Sequence, residues 1–172
     1  GEGASPVAIQ RDEQGVWTLT TGALEPDVYG YTFVVDGVGL TDPSNHLTKP
    51  NLIWQSSAVH VRGSAWVVWE DADVPRGTLH RHFYKSGVVG DHRDFFVYTP
   101  PGYDERLKTQ GSGLTEPPSA EARRFPVLVL LPGTPGDEHD WTSGGGFVEV
   151  MFDNLIAQRE MEPMIVVMMA SD

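Results

Sequence analysis

Cysteine is absent from this 172-residue chain. That excludes a disulfide framework and a thiolate site of any kind, and it leaves composition silent on the redox compartment. Basic residues are scarce: 12 Lys and Arg stand against 24 Asp and Glu, a formal charge of -12. Such an excess of negative charge opposes binding to phosphate backbones and to anionic lipid, so nucleic acid and membrane are not expected partners. No apolar run approaches the roughly 18 residues that a membrane helix needs. The opening Gly1-Glu2-Gly3 has neither a basic n-region nor an apolar h-region, so any signal peptide is expected to have been removed already or never to have existed. Disorder is disfavoured as well, because 40% of residues are hydrophobic and 10% aromatic.

The first half carries short alternating segments separated by turn residues. Val16 to Thr20 alternates, and Tyr29 to Gly37 places Tyr31, Phe33 and Val35 on one face before a turn at Asp36-Gly37. Asp42-Pro43-Ser44-Asn45 is a second turn signal, and Ser56 to Val61 and Ala65 to Trp69 add extended segments. A small antiparallel sandwich is the expected architecture. The acidic, proline-containing stretch Glu70 to Gly77 then breaks the pattern, which predicts one domain over 1–76 and a second over 77–172. The first module starts close to its Val16-Trp17 strand, so an earlier strand is expected to be missing.

In the second half Leu79 to Tyr84 and Asp94 to Tyr98 predict two paired strands, followed by the stiff turn Thr99-Pro100-Pro101-Gly102-Tyr103. Glu105 to Arg124 is polar and rich in Gly, Pro and Ser, as exposed loops are. Two apolar bursts, Phe125 to Gly133 and Pro163 to Met169, bracket an amphipathic segment. Strands apolar at every position are buried on both faces, as in a parallel sheet covered by crossover helices. Between them Phe147, Val148, Met151, Phe152, Leu155 and Ile156 form one stripe on a helix. Strand, loop, helix and strand make a βαβ unit, and ligands sit beyond the carboxyl ends of such strands. The loop Pro132 to Gly146 therefore marks the expected functional rim.

These blocks resemble a known family. The runs Arg93 to Asp104, Phe125 to Gly133, Asp137-Glu138-His139-Asp140-Trp141, Phe152-Asp153-Asn154-Leu155-Ile156-Ala157 and Pro163 to Met168 are similar to the α/β-hydrolase esterases that include feruloyl, acetyl-xylan and enterochelin-type enzymes. Gly15 to Thr18, Tyr29 to Gly37 and Asp42 to Asn45 resemble the glycogen-binding-like, immunoglobulin-type module that often precedes them. The resemblance implies an immunoglobulin-like β-sandwich followed by the N-terminal part of an α/β-hydrolase domain. It further implies a serine carboxylic-ester hydrolase, plausibly acting on plant-polysaccharide side chains, secreted or periplasmic, with neither metal nor organic cofactor.

The same resemblance indicates where chemistry is expected. Such esterases place a serine in a Gly-x-Ser-x-Gly elbow, and the chain has no such pattern. Ser143 follows no apolar strand and lacks the flanking glycines, so it reads as a loop or helix-start residue. The nucleophile, acid and histidine are expected beyond Asp172. The loop after the first apolar strand supplies an oxyanion N–H in the family, and aligning its His-Gly pair with Pro132-Gly133 puts that donor at Thr134. Pro132 departs from the family's histidine. Without the resemblance, Pro132 to Gly136 reads simply as a tight turn.

Other groups carry weaker chemistry. His80 and His82 share a strand face at i, i+2, yet spacing fixes no third metal ligand, so they read as surface or packing histidines. Asp137 to Asp140 reads as a solvated polar loop, because a carboxylate run has no ligand geometry of its own. Trp141 either stacks on an aromatic acyl group or caps the core below it. Trp17, Tyr29, Tyr31 and Trp54 are of the types that stack on sugars, with Trp54 the candidate for exposure and Tyr31 expected to pack inward beside Phe33. A noncatalytic carbohydrate-binding or interaction protein is the alternative function. Finally, Met164 to Met169 is expected to be an exposed apolar sheet edge, to be covered by the remainder of the hydrolase domain or by a partner chain.

Overall fold

The computed structural model describes residues 5–49, 55–104, 124–133, 136–142 and 146–170. The first strands are β1 (Gln10–Arg11), β2 (Trp17–Thr18), β3 (Asp27–Tyr31), β4 (Phe33–Val35), β5 (Val38–Leu40), β6 (Thr48–Lys49) and β7 (Ser56–Val61). They form three small antiparallel sheets, β1-β2, β3-β7-β6 and β4-β5. The turn at Asp36-Gly37 is present, with φ of 51° and 82°, the two left-handed residues that a tight hairpin turn of matching twist requires. The single strand expected from Tyr29 to Gly37 is divided at Thr32. Its first part pairs with β7 and its second folds back on β5. Tyr31 does meet Phe33, edge to face at 5.7 Å, although Phe33 is 39% exposed.

The Asp42 to Asn45 turn is stitched to β7. The Asp42 N–H donates to Ser57 Oγ at 2.8 Å, Asn45 Nδ2 donates to the Ala58 carbonyl at 2.7 Å, and Tyr31 donates its hydroxyl hydrogen to Asp42 Oδ2 at 2.6 Å. That last bond and the Ser44 N–H hold the Asp42 carboxyl below its usual range.

The second half holds β8 (Thr78–Lys85), β9 (His92–Thr99), β10 (Val127–Leu130), helix α1 (Val148–Ala157) and β11 (Ile165–Met169). Their sheet runs β10-β11-β9-β8, with β10 and β11 parallel and the other pairs antiparallel. The predicted βαβ unit is present. Register puts Phe96 and Tyr98 opposite Met168 and Val166, and these four side chains, buried with Val148 of α1, form the core. Phe152 adds an edge contact on Tyr98 at 5.7 Å.

The exposed edge is not the one expected. The crossover delivers β11 into the place between β9 and β10, where both of its sides are hydrogen-bonded, so β10 is left outside. Val127 is 60% exposed, Val129 53% and Leu131 59%, so the first apolar burst is not buried on both faces among the described residues.

A second correction concerns Ala65 to Trp69, which forms turns and irregular chain instead of a strand. Its backbone bonds to a side chain: Asn154 Nδ2 donates to the carbonyls of Val68 at 2.7 Å and Glu70 at 2.8 Å. Beside it Asp153 Oδ1 accepts from the Gly77 N–H at 2.8 Å and the Tyr98 hydroxyl at 2.7 Å. Arg76 stands 3.8 Å from the other Asp153 oxygen. Asp153 is 3% exposed and Asn154 1%, while the apolar stripe of α1 is mostly half-buried. Burial, helped by the nearby Asp153 carboxylate, raises the Tyr98 phenol far above its ordinary range. Gly77 is also fixed sterically, because a Cβ there meets the Tyr98 ring and the Thr99 carbonyl. The expected interdomain connection is thus fastened to the helix.

Two outcomes test this arrangement. Asp153→Ala leaves a half-buried N–H and a buried phenol without their acceptor, and is expected to lower unfolding free energy by about 2–4 kcal/mol in urea titration. A loss under ~0.5 kcal/mol shows that the clasp contributes little. The uncharged β10 edge predicts concentration-dependent association of the 172-residue chain, reduced by Val129→Lys. Sedimentation of the unmodified chain as a monomer at all concentrations rules this out.

Candidate active site

Parallel β10 and β11 point their carboxyl ends the same way, and the segment 131–147 leaves β10 at that end. This is the crevice position at which open α/β sheets bind ligands. Gly133 is exposed and Pro132 buried, so the chain turns outward there. Thr134, the expected oxyanion donor, lies outside the described residues, as do Ser143 and Trp54. After the gap, Gly136 is packed so closely that an added Cβ collides with the Gly133 carbonyl, with Pro132 Cβ and with the Asp140 carboxylate. Only glycine fits at that point, and sequence reading had not singled it out.

A short turn follows. The Asp140 N–H donates to the Asp137 carbonyl at 3.2 Å, the Thr142 N–H to the His139 carbonyl at 3.0 Å, and the Asp137 side chain accepts from the His139 N–H at 2.8 Å. The loop then closes on the helix start, where the Val148 N–H donates to the Trp141 carbonyl at 3.0 Å. Phe147, at the N-cap, has φ 51° and no side-chain cap bond, so the Trp141 backbone does the capping. A Cβ at Gly146 collides with that same Trp141 backbone.

Trp141 lies half-buried against the core cluster, with its indole Nε1 shut from solvent and unpartnered. His139 sets its ring edge on Phe96 at 5.0 Å and holds Nδ1 3.3 Å from Asp137 and 3.2 Å from Glu138. Asp137, Glu138 and His139 bring ligand atoms within 4.8 Å of one another, the arrangement that an acidic turn around one histidine gives without any ion. Burial raises the Glu138 carboxyl above its usual range, and the charges of Asp94 and Asp137 add to this against an opposing His139. Asp140 is raised as well, by burial and then by Asp137, and its Oδ1 is enclosed without a partner. Chemically the segment offers backbone N–H groups at a strand-to-helix crossing, flanked by carboxyls that hold protons more tightly than usual.

His80 and His82 stay apart from this loop's chemistry. Their rings are 6.2 Å apart; His80 Nε2 lies 3.2 Å from Thr99 Oγ1, and His82 stacks on Phe95 at 5.2 Å. At the opposite end of the sheet a polar cleft of about 180 Å³ is lined by Arg76, Thr78, Thr99, Gly102, Tyr103 and Asp104.

Comparison with known proteins supports an esterase relationship. The chain is 29% identical over 168 residues to an endo-1,4-beta-xylanase/feruloyl esterase of Xylanibacter ruminicola, covering 96% of this chain and 21% of that protein. It therefore spans about a fifth of that relative's length. Among solved structures, the enterobactin esterase of Shigella flexneri in the presence of enterobactin superposes with a TM-score of 0.60 at 18% identity, over 96% of this chain and 43% of that one. The fold is shared over that span. The feruloyl esterase module of Clostridium thermocellum complexed with sinapinate matches at a TM-score of 0.48 and 19% identity, over 66% of this chain and 34% of that one. No protein-family model matches. The sheet-and-helix arrangement of the described second half thus falls within a fold shared with that esterase.

The raised carboxyls yield a pH prediction. A carboxyl whose folded pKa exceeds its unfolded value contributes full stability below the unfolded value, and this is lost as pH rises through the folded one. Glu138→Gln with Asp140→Asn is therefore expected to flatten the fall in stability as pH rises above about 4, the ordinary carboxylate range. Thermal unfolding across that window gives the slope; an unchanged slope refutes the assignment.

Proposed function

We propose that the chain is part of a serine carboxylic-ester hydrolase of the feruloyl or acetyl-xylan esterase type. The observation that carries this reading is the β10–loop–α1–β11 unit, with its glycine-dependent loop at the carboxyl end of β10, in a chain related over 96% of its length to a xylanase/feruloyl esterase. The substrate class is an ester-bearing small molecule or plant polysaccharide, and no metal or organic cofactor is needed. The nucleophilic serine, its histidine and its acid come from sequence beyond Asp172, which also supplies the cover for β10.

In that reading the serine attacks the ester carbonyl and expels the alcohol as its histidine returns the proton; water then releases the acid from the acyl-enzyme. This chain contributes the backbone N–H of Thr134, presented next to Gly133, to the negative oxygen of each tetrahedral intermediate. Nearby, Gly136 packs closely on Gly133, Pro132 and Asp140, and the Val148 N–H donates to the Trp141 carbonyl. Trp141 and Trp54 are proposed substrate contacts. Residues 1–76 are proposed to form an immunoglobulin-like sandwich with a carbohydrate-binding ancestry, ahead of the hydrolase portion at 77–172, in a secreted or periplasmic protein.

The test uses the longer protein that carries this segment. Thr134→Pro removes the donor, and is expected to lower kcat on a hydroxycinnamoyl or acetyl ester by about 10²–10³ with little change in KM. Full kcat in that variant removes Thr134 from the mechanism, and oligosaccharide binding without any ester turnover by the unmodified protein removes the esterase reading altogether.

A further inference from the structure

One ionisable contact joins the amino-terminal sheets to the segment that α1 holds. His60 of β7 places Nε2 3.4 Å from Glu70 Oε1, with side chains 22% and 13% exposed. Glu70 Oε1 is closed to solvent and has no hydrogen-bond partner. The backbone around it is fixed from the other side, because the Glu70 carbonyl accepts from Asn154 Nδ2 and its N–H donates to the Val67 carbonyl at 2.9 Å. A buried carboxylate oxygen thus faces an imidazole nitrogen, at ion-pair distance but unbonded. A neutral ring leaves that charge uncompensated, whereas an imidazolium supplies both an N–H and the opposite charge.

We propose that His60 and Glu70 form a pH-operated latch that fastens the β3-β7-β6 sheet to the α1-bound segment. The latch closes when His60 is protonated while Glu70 is ionised, so that the imidazolium N–H meets the carboxylate oxygen. It loosens on the alkaline side, where the carboxylate lacks a cation. It loosens again in strong acid, where the carboxylate is gone. Other charged groups on the elements that meet there are Asp27 on β3, Lys49 on β6, Arg62 just past β7, Asp71, Asp73 and Arg76 on the segment, and Glu149 and Asp153 on α1. Arg76 is engaged by Asp71 and Asp153, so the linker's own cation is committed away from Glu70. The latch does not depend on the esterase reading.

Hydrogen exchange of amides in 66–77, corrected for intrinsic rate, tests it on the 172-residue chain and on the longer protein. Protection is expected to be roughly 5-fold greater at about pH 5.5 than at about pH 8, and His60→Gln is expected to abolish that ratio. Equal protection at both pH values, or a ratio that persists in His60→Gln, overturns the latch. If His60→Gln fails to fold, ring-proton titration of His60 by NMR with and without Glu70→Gln decides instead: the latch requires the titration to move acidward in Glu70→Gln, and an unmoved titration overturns it. A purely steric contact predicts lower protection in His60→Gln by the same factor at every pH.

Discussion

The arrangement depends on one buried carboxylate. Asp153, on the face of α1 turned inward, accepts from a backbone N–H that ends the linker and from a phenol near the end of β9. The phenol is buried with it and the N–H half-buried, so both lose water on folding and recover a bond only if the helix, the strand and the linker sit in register. Asn154 repeats the device one residue later on two linker carbonyls. Apolar packing alone tolerates small slips of a helix over a sheet. Fixed polar pairs do not, and they set the height and rotation of α1 and hence the point at which the loop from β10 enters it.

That placement matters for the loop because its far end is the first turn of α1. The Trp141 carbonyl caps Val148, and the space at Gly136 and Gly146 is filled by the loop's own backbone and side chains. Such close contacts hold the described ends of this loop with little freedom to move. Burial makes Glu138 and Asp140 hold their protons more tightly, and His139 Nδ1 lies between the Asp137 and Glu138 carboxyls.

The sheet illustrates how far a sequence pattern reaches. Val127 to Leu131 and Met164 to Met169 are equally apolar, and both read as strands buried on two faces. Only β11 has neighbours on both sides. Hydrophobicity specifies that a strand needs cover and is silent about which partner supplies it, since strand order follows from the handedness and reach of the crossover. The same limit explains Ala65 to Trp69, whose alternating apolar residues suggested a strand and whose carbonyls Asn154 captures instead.

By itself the sequence determined the local elements: the hairpin turn at Asp36-Gly37, the β8-β9 pair and the βαβ unit. Those are properties of short-range sterics and periodic burial, which neighbouring residues fix among themselves. Tertiary structure alone decided the order of strands, the exposed edge at β10, and the burial of Asp153 and Asn154 where the helical stripe had placed only apolar residues. It also decided that Gly136 and Gly146 had to be glycine and that Glu70 would face His60. Each of these depends on groups brought together from distant parts of the chain, and a polar residue shows no sign in its own sequence of the donor that will meet it in the fold.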